Sequence, residues 1–371
     1  MSNLKKVSFY LISFSGGGAE REMIYIANQF AEKGYDVDLI VHRNAGPLRD
    51  IVSKNVTVII LDKNYLYDLY FLVKYIKRRH PKFILSTLHV PNWILATAKI
   101  LAISNVKIFW RIVISVTNAK RDGVSTSSFV YKSMKFVYPI LSCVVNKITC
   151  VSKGVEEDFV QNFLVNKKKV NVMYNPAYTS DIHELAEEKV EHPWFNSRFN
   201  TIVSLGRLSS QKDYETLIRS FKLVTQVDTN ARLFILGEGK LRDALQNLIE
   251  SLGLSEMVDL HGFELNPYKY LSKADVFVLS SIYEGFGNVI VEALALNVPV
   301  ISTDCPSGPA EILNDGEWGR LVPVCDITAL SRAILDTLEE GSKDKMDTLD
   351  RAKEFSVERV VEKYINLIDE N

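Results

Sequence analysis

Residues 274–303 read ADVFVLSSIYEGFGNVIVEALALNVPVIST and contain one complete strand, helix and strand unit. The run ADVFVLSS is apolar enough for a buried strand, and IYEGFGN carries the glycines of a loop. NVIVEALALN then has a helical pattern that ends before Pro299, and VPVIST is a second apolar run. A crossover helix between two such runs predicts parallel strands in a sheet that helices cover on both faces.

The same alternation continues through both halves of the chain. Helical patterns such as AEREMIYIANQFAEKG and LYDLYFLVKYIKRR separate the apolar runs. The runs that we interpret as strands are KVSFYLIS, DVDLIVH, VTVIIL, FILST, KIFWRIVIS, NKITCV and KVNVMY in the first half, and NTIVSLGR, ARLFILGEG, MVDLHGF, ADVFVLSS, VPVIST and GRLVPV in the second. The predicted fold class is α/β, with two doubly wound, Rossmann-like domains.

A polar segment, TSDIHELAEEKVEHPWFNSR, separates the two series and has no strand pattern. We therefore predict an N-terminal domain at 1–176, a linker at 177–197 and a C-terminal domain at 198–350. The last segment, 351–371, is predicted to be a helix that packs back toward the N-terminal domain. Two domains also suit a chain of 371 residues. If the two sheets face each other, an interdomain cleft is expected to hold the ligands.

Composition restricts the functional class. Apolar residues make up 47% of the chain and charged residues 24%, as in ordinary globular proteins. The formal charge of −1 gives no general reason to bind nucleic acid. The four cysteines form no C-x-x-C pair, which favours buried thiols in a reducing compartment. No uncharged apolar run approaches the ~18 residues that span a bilayer, so we expect a cytoplasmic protein.

Three glycines follow the first predicted strand, in the loop FSGGGAERE. Gly16, Gly17 and Gly18 would let backbone N–H groups approach a ligand, and the helix that follows would offer partial positive charge to a phosphate. The loop does not match G-x-G-x-x-G, which argues against an ordinary dinucleotide site. A tight structural turn is the alternative.

A second phosphate site is predicted in SLGRLSSQKDYETLI, where Gly206 ends a strand and is followed by Arg207 and Lys212. A lysine at a helix start opposes the helix dipole unless an anion lies between them. A guanidinium fork and an ammonium together suit a diphosphate. The alternative is a solvated pair of cations on an exposed loop.

The loop of the opening stretch adds two carboxylates, Glu284 and Glu292. Gly285 and Gly287 would allow N–H groups near Asn288 and Val289 to hold a phosphate at the helix start. Because a carboxylate repels phosphate, the two glutamates must bind something else, and sugar hydroxyls suit an acceptor-only group. Together with the upstream cations, this pattern indicates a nucleoside diphosphate sugar. Plain surface charge is the alternative.

These motifs resemble a known family. Glu284, Gly285, Phe286, Gly287, Asn288 and Glu292 match the E-x(7)-E signature of retaining GT-B glycosyltransferases, and the chain resembles glycosyltransferase family 4. GRLSSQKDYETLI, FILGEGKLRDALQNLIESLGL, VDLHGF and TDCPSGPAEIL resemble that family in order and spacing across residues 200–340. In the first half the resemblance rests on the glycine loop, Gly34 and HVPN, and is looser.

The resemblance implies a role for each motif. Arg207 and Lys212 would bind the diphosphate, Glu284 the donor sugar, and Glu292 the ribose. Phe263 would lie beside the base, and Phe286 and Val289 belong to the predicted donor-binding loop. TDCPSGPAEIL is similar to the corresponding loop of members that use UDP-linked sugars. By the same resemblance, the N-terminal domain would bind the acceptor and the C-terminal domain the nucleotide sugar.

His89, in STLHVPNW, stands where the family often has a histidine close to the transferred sugar. We expect it to orient the donor sugar or the acceptor hydroxyl and count it with Glu284, Arg207 and Lys212 as catalytic. A structural histidine is the alternative. The other histidines lack metal-ligand spacing, and the triplet Asp36-Val37-Asp38 opens a predicted strand, so no metal and no cofactor are expected.

The segment YLYDLYFLVKYIKRRHPK joins an aromatic helical face to Lys74, Lys77, Arg78 and Arg79. This composition suits the surface of an anionic membrane. It equally suits a crossover helix with a solvated basic end. Family members often use lipid-linked acceptors, which favours a peripheral location at the inner face of the cytoplasmic membrane.

The resulting hypothesis is a retaining hexosyltransferase. It would move a hexose or N-acetylhexosamine from a UDP-sugar to a glycan or polyprenyl-linked glycan during cell-surface polysaccharide or glycoconjugate biosynthesis. The alternatives are a non-hydrolysing sugar-nucleotide epimerase, a phosphorylase and a non-catalytic nucleotide-sugar-binding protein. The E-x(7)-E match argues against the epimerase.

Overall fold

The computed structural model describes residues 5–15, 17–115, 117, 128–195, 198–341 and 347–369. The chain forms two compact units. Unit 1 comprises Met1–Pro176 together with Val357–Asn371, and unit 2 comprises Ala177–Ser356. Each unit is built around one parallel sheet and has its own apolar core.

Unit 1 contains a sheet of seven parallel strands in the order β3-β2-β1-β4-β5-β6-β7. The strands are β1 Lys6–Leu11, β2 Asp36–Val41, β3 Val56–Ile60, β4 Phe83–Thr87, β5 Lys107–Ile112, β6 Lys147–Cys150 and β7 Val170–Val172. The helices are α1 Gly18–Glu32, α2 Tyr65–Arg79, α3 His89–Ala102, α4 Ser128–Ser142 and α5 Lys153–Asn162, with 3₁₀ turns at Pro47–Ile51 and Lys167–Lys169.

Burial explains why the apolar runs of unit 1 are strands. In β1, β2 and β5, five of six residues are buried, as expected for a sheet covered on both faces. Two of the helices, α2 and α5, start at polar caps. Asn64 accepts a hydrogen bond from the Tyr67 N–H at the start of α2, and Ser152 accepts one from Val155 at the start of α5.

Unit 2 contains six parallel strands in the order β10-β9-β8-β11-β12-β13. The strands are β8 Asn200–Leu205, β9 Ala231–Leu236, β10 Val258–Gly262, β11 Val276–Leu279, β12 Val300–Thr303 and β13 Arg320–Val322. The helices are α6 Ile182–Ala186, α7 Tyr214–Val224, α8 Arg242–Ser251, α9 Tyr268–Leu271, α10 Asn288–Ala295, α11 Pro309–Leu313, α12 Ile327–Glu340 and α13 Leu349–Lys353, with a 3₁₀ turn at Ser210–Lys212. In both sheets the strand order reverses once, beside β1 and β8, which is where such folds bind ligands.

All thirteen runs predicted as strands are strands in the structure. The α/β fold class with two doubly wound sheets is therefore confirmed. The segment predicted as a linker is not a free connection in the structure. Residues 182–186 form α6, and residues of this helix and of the turn after it are bonded to the rest of unit 2. Asn266 Nδ2 donates to the Leu185 carbonyl at 2.7 Å, and Lys269 Nζ lies 2.8 Å from the Glu188 carboxylate. Polar pairing makes this segment part of unit 2.

The predicted last helix, 351–371, is two helices. The Arg351 guanidinium in α13 donates to the carbonyls of Glu311 and Ile312, which ties α13 to unit 2. α13 ends at Lys353. In the turn that follows, the Phe355 carbonyl accepts hydrogen bonds from the N–H groups of Ala177 and Tyr178. The second helix, α14 Val357–Asp369, completes the apolar core of unit 1.

No helix in the part of the chain that the structure describes is long and apolar enough to cross a bilayer.

Candidate active site

Three loops at the carboxyl edge of the unit 2 sheet are joined by hydrogen bonds. They follow β8, β11 and β12. The Gln211 carbonyl accepts from the Ile282 N–H at 2.8 Å, and Gln211 Nε2 donates to the Tyr283 carbonyl at 3.0 Å. Ser280 Oγ donates to the Lys212 carbonyl at 2.7 Å. The loop that carries the predicted cations is therefore fixed against the loop that carries Glu284.

Lys212 and Glu284 form an ion pair within this assembly. Lys212 Nζ lies 2.6 Å from Glu284 Oε1, and Ser281 Oγ donates to the same carboxylate oxygen at 2.7 Å. The side chains of Lys212 and Glu284 are only 14% and 8% exposed. The structure thus places the predicted phosphate-binding cation directly beside the predicted sugar-binding carboxylate.

Gly206 makes room for the lysine. Its φ is +155°, and a Cβ there would lie 2.9 Å from Lys212 Cε and 3.1 Å from the Tyr214 hydroxyl. The Tyr214 hydroxyl donates to the Gly206 carbonyl at 3.2 Å. Burial raises the pKa of Tyr214, so the hydroxyl stays protonated and keeps donating. Gly206 and Tyr214 therefore form the surface on which the Lys212 side chain packs.

The loop after β12 supports the loop after β11, which carries Glu284, through a close backbone contact. The Glu284 N–H donates to the Pro306 carbonyl at 3.3 Å. Gly308 has φ +99°, and a Cβ on it would lie 1.8 Å from the Phe286 carbonyl oxygen. Phe286 itself is buried, and its ring packs against Phe355 with the centroids 5.4 Å apart. Its side chain therefore anchors the loop, and any contact with a ligand would come from its backbone.

The remaining predicted residues of unit 2 lie along the same edge. Gly287 has φ +103° and precedes α10, so Asn288 and Val289 are its first two residues. Glu292, one turn further along, is half-buried and accepts a hydrogen bond from the Tyr268 hydroxyl at 3.4 Å. Arg207 is exposed directly after β8. Phe263 follows β10 and is 71% exposed, as an open stacking surface would be.

In unit 1 the structure describes only part of the glycine loop. Gly16 lies outside the described residues. Gly17 precedes α1 with φ −73° and ψ 150°, and Gly18 is the first residue of α1. Because a residue of any type can adopt that conformation, a tight turn does not require glycine at Gly17.

His89 is the first residue of α3, at the carboxyl edge of the unit 1 sheet. Its Nδ1 is hydrogen-bonded to the buried Tyr138 hydroxyl at 2.5 Å. Burial lowers the pKa of His89 to about 4, so the ring is neutral at physiological pH. A neutral imidazole held through Nδ1 has Nε2 as its second hydrogen-bonding atom.

The two aspartates of β2 bind cations of the chain. Lys6 Nζ lies 2.6 Å from the Asp36 carboxylate and 3.2 Å from that of Asp38. The Tyr75 hydroxyl donates to Asp38 at 2.5 Å. Among the described residues, no cluster of three or more histidine, cysteine, aspartate or glutamate side chains could hold a metal ion.

Two family models cover most of the chain. The family described as "Glycosyl transferases group 1" matches residues 186–355, and "Glycosyltransferase Family 4" matches residues 16–181. The chain belongs to glycosyltransferase family 4. It is a glycosyltransferase, and its two units form the GT-B fold. The predicted family, fold and enzyme class are confirmed.

Relatives of this glycosyltransferase are named for a diphospho-undecaprenol-linked substrate and for lipopolysaccharide core biosynthesis. One is a Campylobacter jejuni enzyme named N-acetylgalactosamine-N,N'-diacetylbacillosaminyl-diphospho-undecaprenol 4-alpha-N-acetylgalactosaminyltransferase, 38% identical over 60% of this chain and 59% of that enzyme. Another is a lipopolysaccharide core biosynthesis glycosyltransferase of Rhizobium meliloti, 28% identical over 95% of this chain and 96% of the relative. Among solved structures, the Anabaena protein HepE in complex with UDP matches with a TM-score of 0.79 at 18% identity, covering 99% of this chain and all of that one.

Several residues that shape the candidate site could not be identified from the sequence. Ser281, Gln211 and Tyr214 hold the Lys212 and Glu284 loops, and Gly308 admits the Phe286 carbonyl. Serine and glutamine carry no local signal for such a role. Gly308, between Ser307 and Pro309, offered a weak signal, since a glycine before a helix often marks a close approach.

Proposed function

We propose that this family 4 enzyme transfers a hexose or N-acetylhexosamine from a UDP-sugar, with retention of configuration, to a hydroxyl of a glycan or polyprenyl-linked glycan. The observation that carries the proposal is the pair Lys212 and Glu284, whose charged atoms lie 2.6 Å apart. In a sugar nucleotide one bridging oxygen joins the sugar to the diphosphate. Phosphate oxygens and sugar hydroxyls therefore lie close together in the donor. The adjacent Lys212 ammonium and Glu284 carboxylate suit these two groups, with the ammonium toward the phosphate and the carboxylate toward the hydroxyls.

The other residues fit the rest of the donor. Arg207 would join Lys212 on the diphosphate, and the N–H groups at the start of α10 would add neutral donors. Glu292 would accept hydrogen bonds from the ribose hydroxyls, and Phe263 would stack on the base. The glycine loop before α1 would approach the donor through its backbone.

The ion pair between Lys212 and Glu284 also explains how the two charges are accommodated in the enzyme without ligand. Lys212 and Glu284 neutralise each other while no diphosphate is present, which lowers the cost of holding both charges away from water. A bound diphosphate would compete for the Lys212 ammonium and leave Glu284 more available to sugar hydroxyls. Ser281, which donates to the same carboxylate oxygen, would hold Glu284 in place during that exchange.

In the proposed reaction the acceptor oxygen forms a bond to the anomeric carbon on the face from which the diphosphate leaves. The bond between that carbon and the β-phosphate oxygen breaks, and the acceptor proton passes to the departing diphosphate. The products are UDP and a glycoside of retained configuration. Arg207 and Lys212 would stabilise the charge that develops on the leaving group. Neutral His89 would hydrogen-bond the sugar or the acceptor hydroxyl through Nε2, and no metal ion is proposed.

The proposed acceptor and location follow from the relatives' names and from α2. The Campylobacter jejuni relative is named for an acceptor on diphospho-undecaprenol, and the Rhizobium meliloti relative for lipopolysaccharide core biosynthesis. On α2 the side chains of Leu66 and Tyr70 and the basic residues Lys74, Lys77 and Arg78 are exposed. We therefore place the enzyme at the inner face of the cytoplasmic membrane, in contact with anionic lipid.

The test is a transfer assay with radiolabelled UDP-hexoses and UDP-N-acetylhexosamines and a membrane lipid extract as acceptor. We expect UDP release that depends on the acceptor and persists in EDTA. Glu284→Gln should lower kcat by about 10- to 100-fold, because it removes a charge-assisted hydrogen bond worth roughly 1.5–3 kcal/mol, while UDP still binds. Glu215→Gln, an exposed glutamate on α7, is the matched control. UDP release without acceptor, or full activity of Glu284→Gln, would contradict the proposal.

A further inference from the structure

A pocket lined by lysines lies on unit 1, at the amino ends of β6 and β7. Its volume is about 490 Å³. Eight residues line it, among them Lys99, Lys147, Lys168, Lys169 and Cys143. The predicted donor-binding motifs and His89 all follow the carboxyl ends of strands, so this pocket is at the other edge of its sheet from His89.

Two of the lysines are held in place by the protein. Lys169 Nζ donates to the carbonyls of Ser142, Cys143 and Val145 at 3.0, 2.9 and 2.8 Å, which caps the end of α4. Lys99 Nζ donates to Asn146 Oδ1 at 2.8 Å. The walls of the pocket are therefore fixed by hydrogen bonds, and Lys147 and the exposed Lys168 add two further positive charges.

The pocket has an excess of positive charge. Four of the eight side chains that line it are lysines, and none of the eight is acidic. Lys99 is half-buried, and its burial together with the charge of Lys169 lowers its pKa. An anion in the pocket would relieve the repulsion between the two lysines.

Exposed apolar side chains lie on or next to the two helices whose ends reach this pocket. Ile103 follows α3 four residues after Lys99 and is 93% exposed. Phe136 and Ile140 on α4 are 73% and 68% exposed, and they lie on the helical face that leads to Cys143 at spacings of four and three residues. A small hydrated anion would gain nothing from these residues. An amphiphile with an anionic head and apolar chains matches both features.

The crossover topology brings a further basic element to this edge. Helices that connect parallel strands run antiparallel to them, so α2, α3 and α4 all end near the amino edge of the sheet. The last turn of α2 carries Lys77, Arg78 and Arg79. Basic side chains at the ends of neighbouring helices and apolar side chains beside them form one amphipathic edge of unit 1.

We propose that the lysine pocket binds the phosphate headgroup of an anionic membrane lipid while Ile103, Phe136 and Ile140 enter the acyl region. The proposal rests on the proposed membrane location and assigns it to a specific edge of unit 1. Lys147 and Lys168 contact the phosphate, and Lys99 adds charge from the pocket wall.

Vesicle flotation tests the headgroup contact. The full-length protein should float with vesicles of phosphatidylcholine mixed with phosphatidylglycerol, but not with phosphatidylcholine alone. Lys147→Gln combined with Lys168→Gln should weaken binding by roughly tenfold or more, since each cation near an anionic surface contributes to affinity. Lys189→Gln combined with Lys353→Gln, two exposed lysines of unit 2, should bind as the unmodified protein does. Equal binding by both double variants would overturn the proposal.

Cysteine protection locates the contact independently of any substitution. Cys143 is exposed and lines the pocket, whereas Cys325 is exposed in unit 2 and Cys150 and Cys305 are buried. Mixed vesicles should slow the reaction of Cys143 with a water-soluble maleimide and leave that of Cys325 unchanged. Protection of Cys143 by inorganic diphosphate without vesicles, or no protection by vesicles, would overturn the proposal. Neither assay uses sugar transfer, so failure of this site and failure of the proposed reaction are separate results.

Discussion

At the scale of single residues, the protonation of His89 has consequences that can be measured. Burial lowers its pKa to about 4, whereas an unfolded histidine titrates near pH 6.5. Between these two values the unfolded chain binds a proton that the folded chain does not. The free energy of unfolding should therefore contain a His89 contribution that is complete above pH 6.5 and decreases toward pH 4, with a slope of up to about 1.4 kcal/mol per pH unit.

Chemical denaturation of unit 1 from pH 4 to pH 7.5 measures this slope. His89→Gln should flatten it, because glutamine has no proton to bind. His183→Gln, an exposed histidine of unit 2, should leave the slope unchanged. An unchanged slope in His89→Gln would show that the ring is not desolvated in the folded protein.

At the scale of elements, the loops after β11 and β12 are fitted to each other through Gly308. A Cβ at this position would lie 1.8 Å from a backbone oxygen, which no side-chain rotation can relieve. Gly308→Ala should therefore displace the loop that carries Glu284, weaken UDP binding by at least about tenfold and lower stability by more than the roughly 1 kcal/mol of a positive-φ alanine.

Isothermal titration with UDP and thermal unfolding check both effects. Gly253→Ala is the matched control, because Gly253 also lies in unit 2, has φ +66° and has no atom within 4 Å of the added Cβ. It should lose about 1 kcal/mol of stability and keep its UDP affinity. Equal UDP binding by the two variants would show that the loop does not depend on this contact.

At the scale of the whole molecule, the last helix returns the chain from unit 2 to the core of unit 1. The buried side chains of α14 are Val357, Val360, Val361, Tyr364, Leu367 and Ile368. Full burial of such side chains contributes about 1.5–3 kcal/mol each, so together they rival the total stability of a domain, roughly 5–15 kcal/mol. Truncation after Ser356 should therefore unfold unit 1 while unit 2 retains its sheet.

Limited proteolysis with fragment identification tests this expectation. In the truncated chain, cleavage should appear throughout 5–176, and a fragment close to 177–356 should resist. Glu358→Gln combined with Glu362→Gln, on the exposed face of α14, should leave both units resistant. A truncated chain with an intact unit 1 would show that the helix is dispensable to that core.

The periodicity of the sequence was sufficient to predict every strand, because a parallel strand buried on both faces is an uninterrupted apolar run such as KVSFYLIS or ADVFVLSS. The position of each strand also fixed the position of the loop that follows it, and with it the residues of the predicted site. In this fold the loops after the strands meet at one edge, so sequence order already groups Arg207, Lys212 and Glu284. The site roles of these residues remain predictions.

The sequence by itself determined the fold class, the family and the edge of the unit 2 sheet on which the candidate site lies, because local hydrophobic pattern and short motifs are properties of neighbouring residues. Only the tertiary structure decided that Lys212 binds Glu284 and that Gly308 admits the Phe286 carbonyl. It also decided that the segment 351–371 forms two helices, one in each unit, and that four lysines line one pocket. Each of these contacts joins residues that are distant in sequence or come from different elements, and their distances depend on how helices and strands pack.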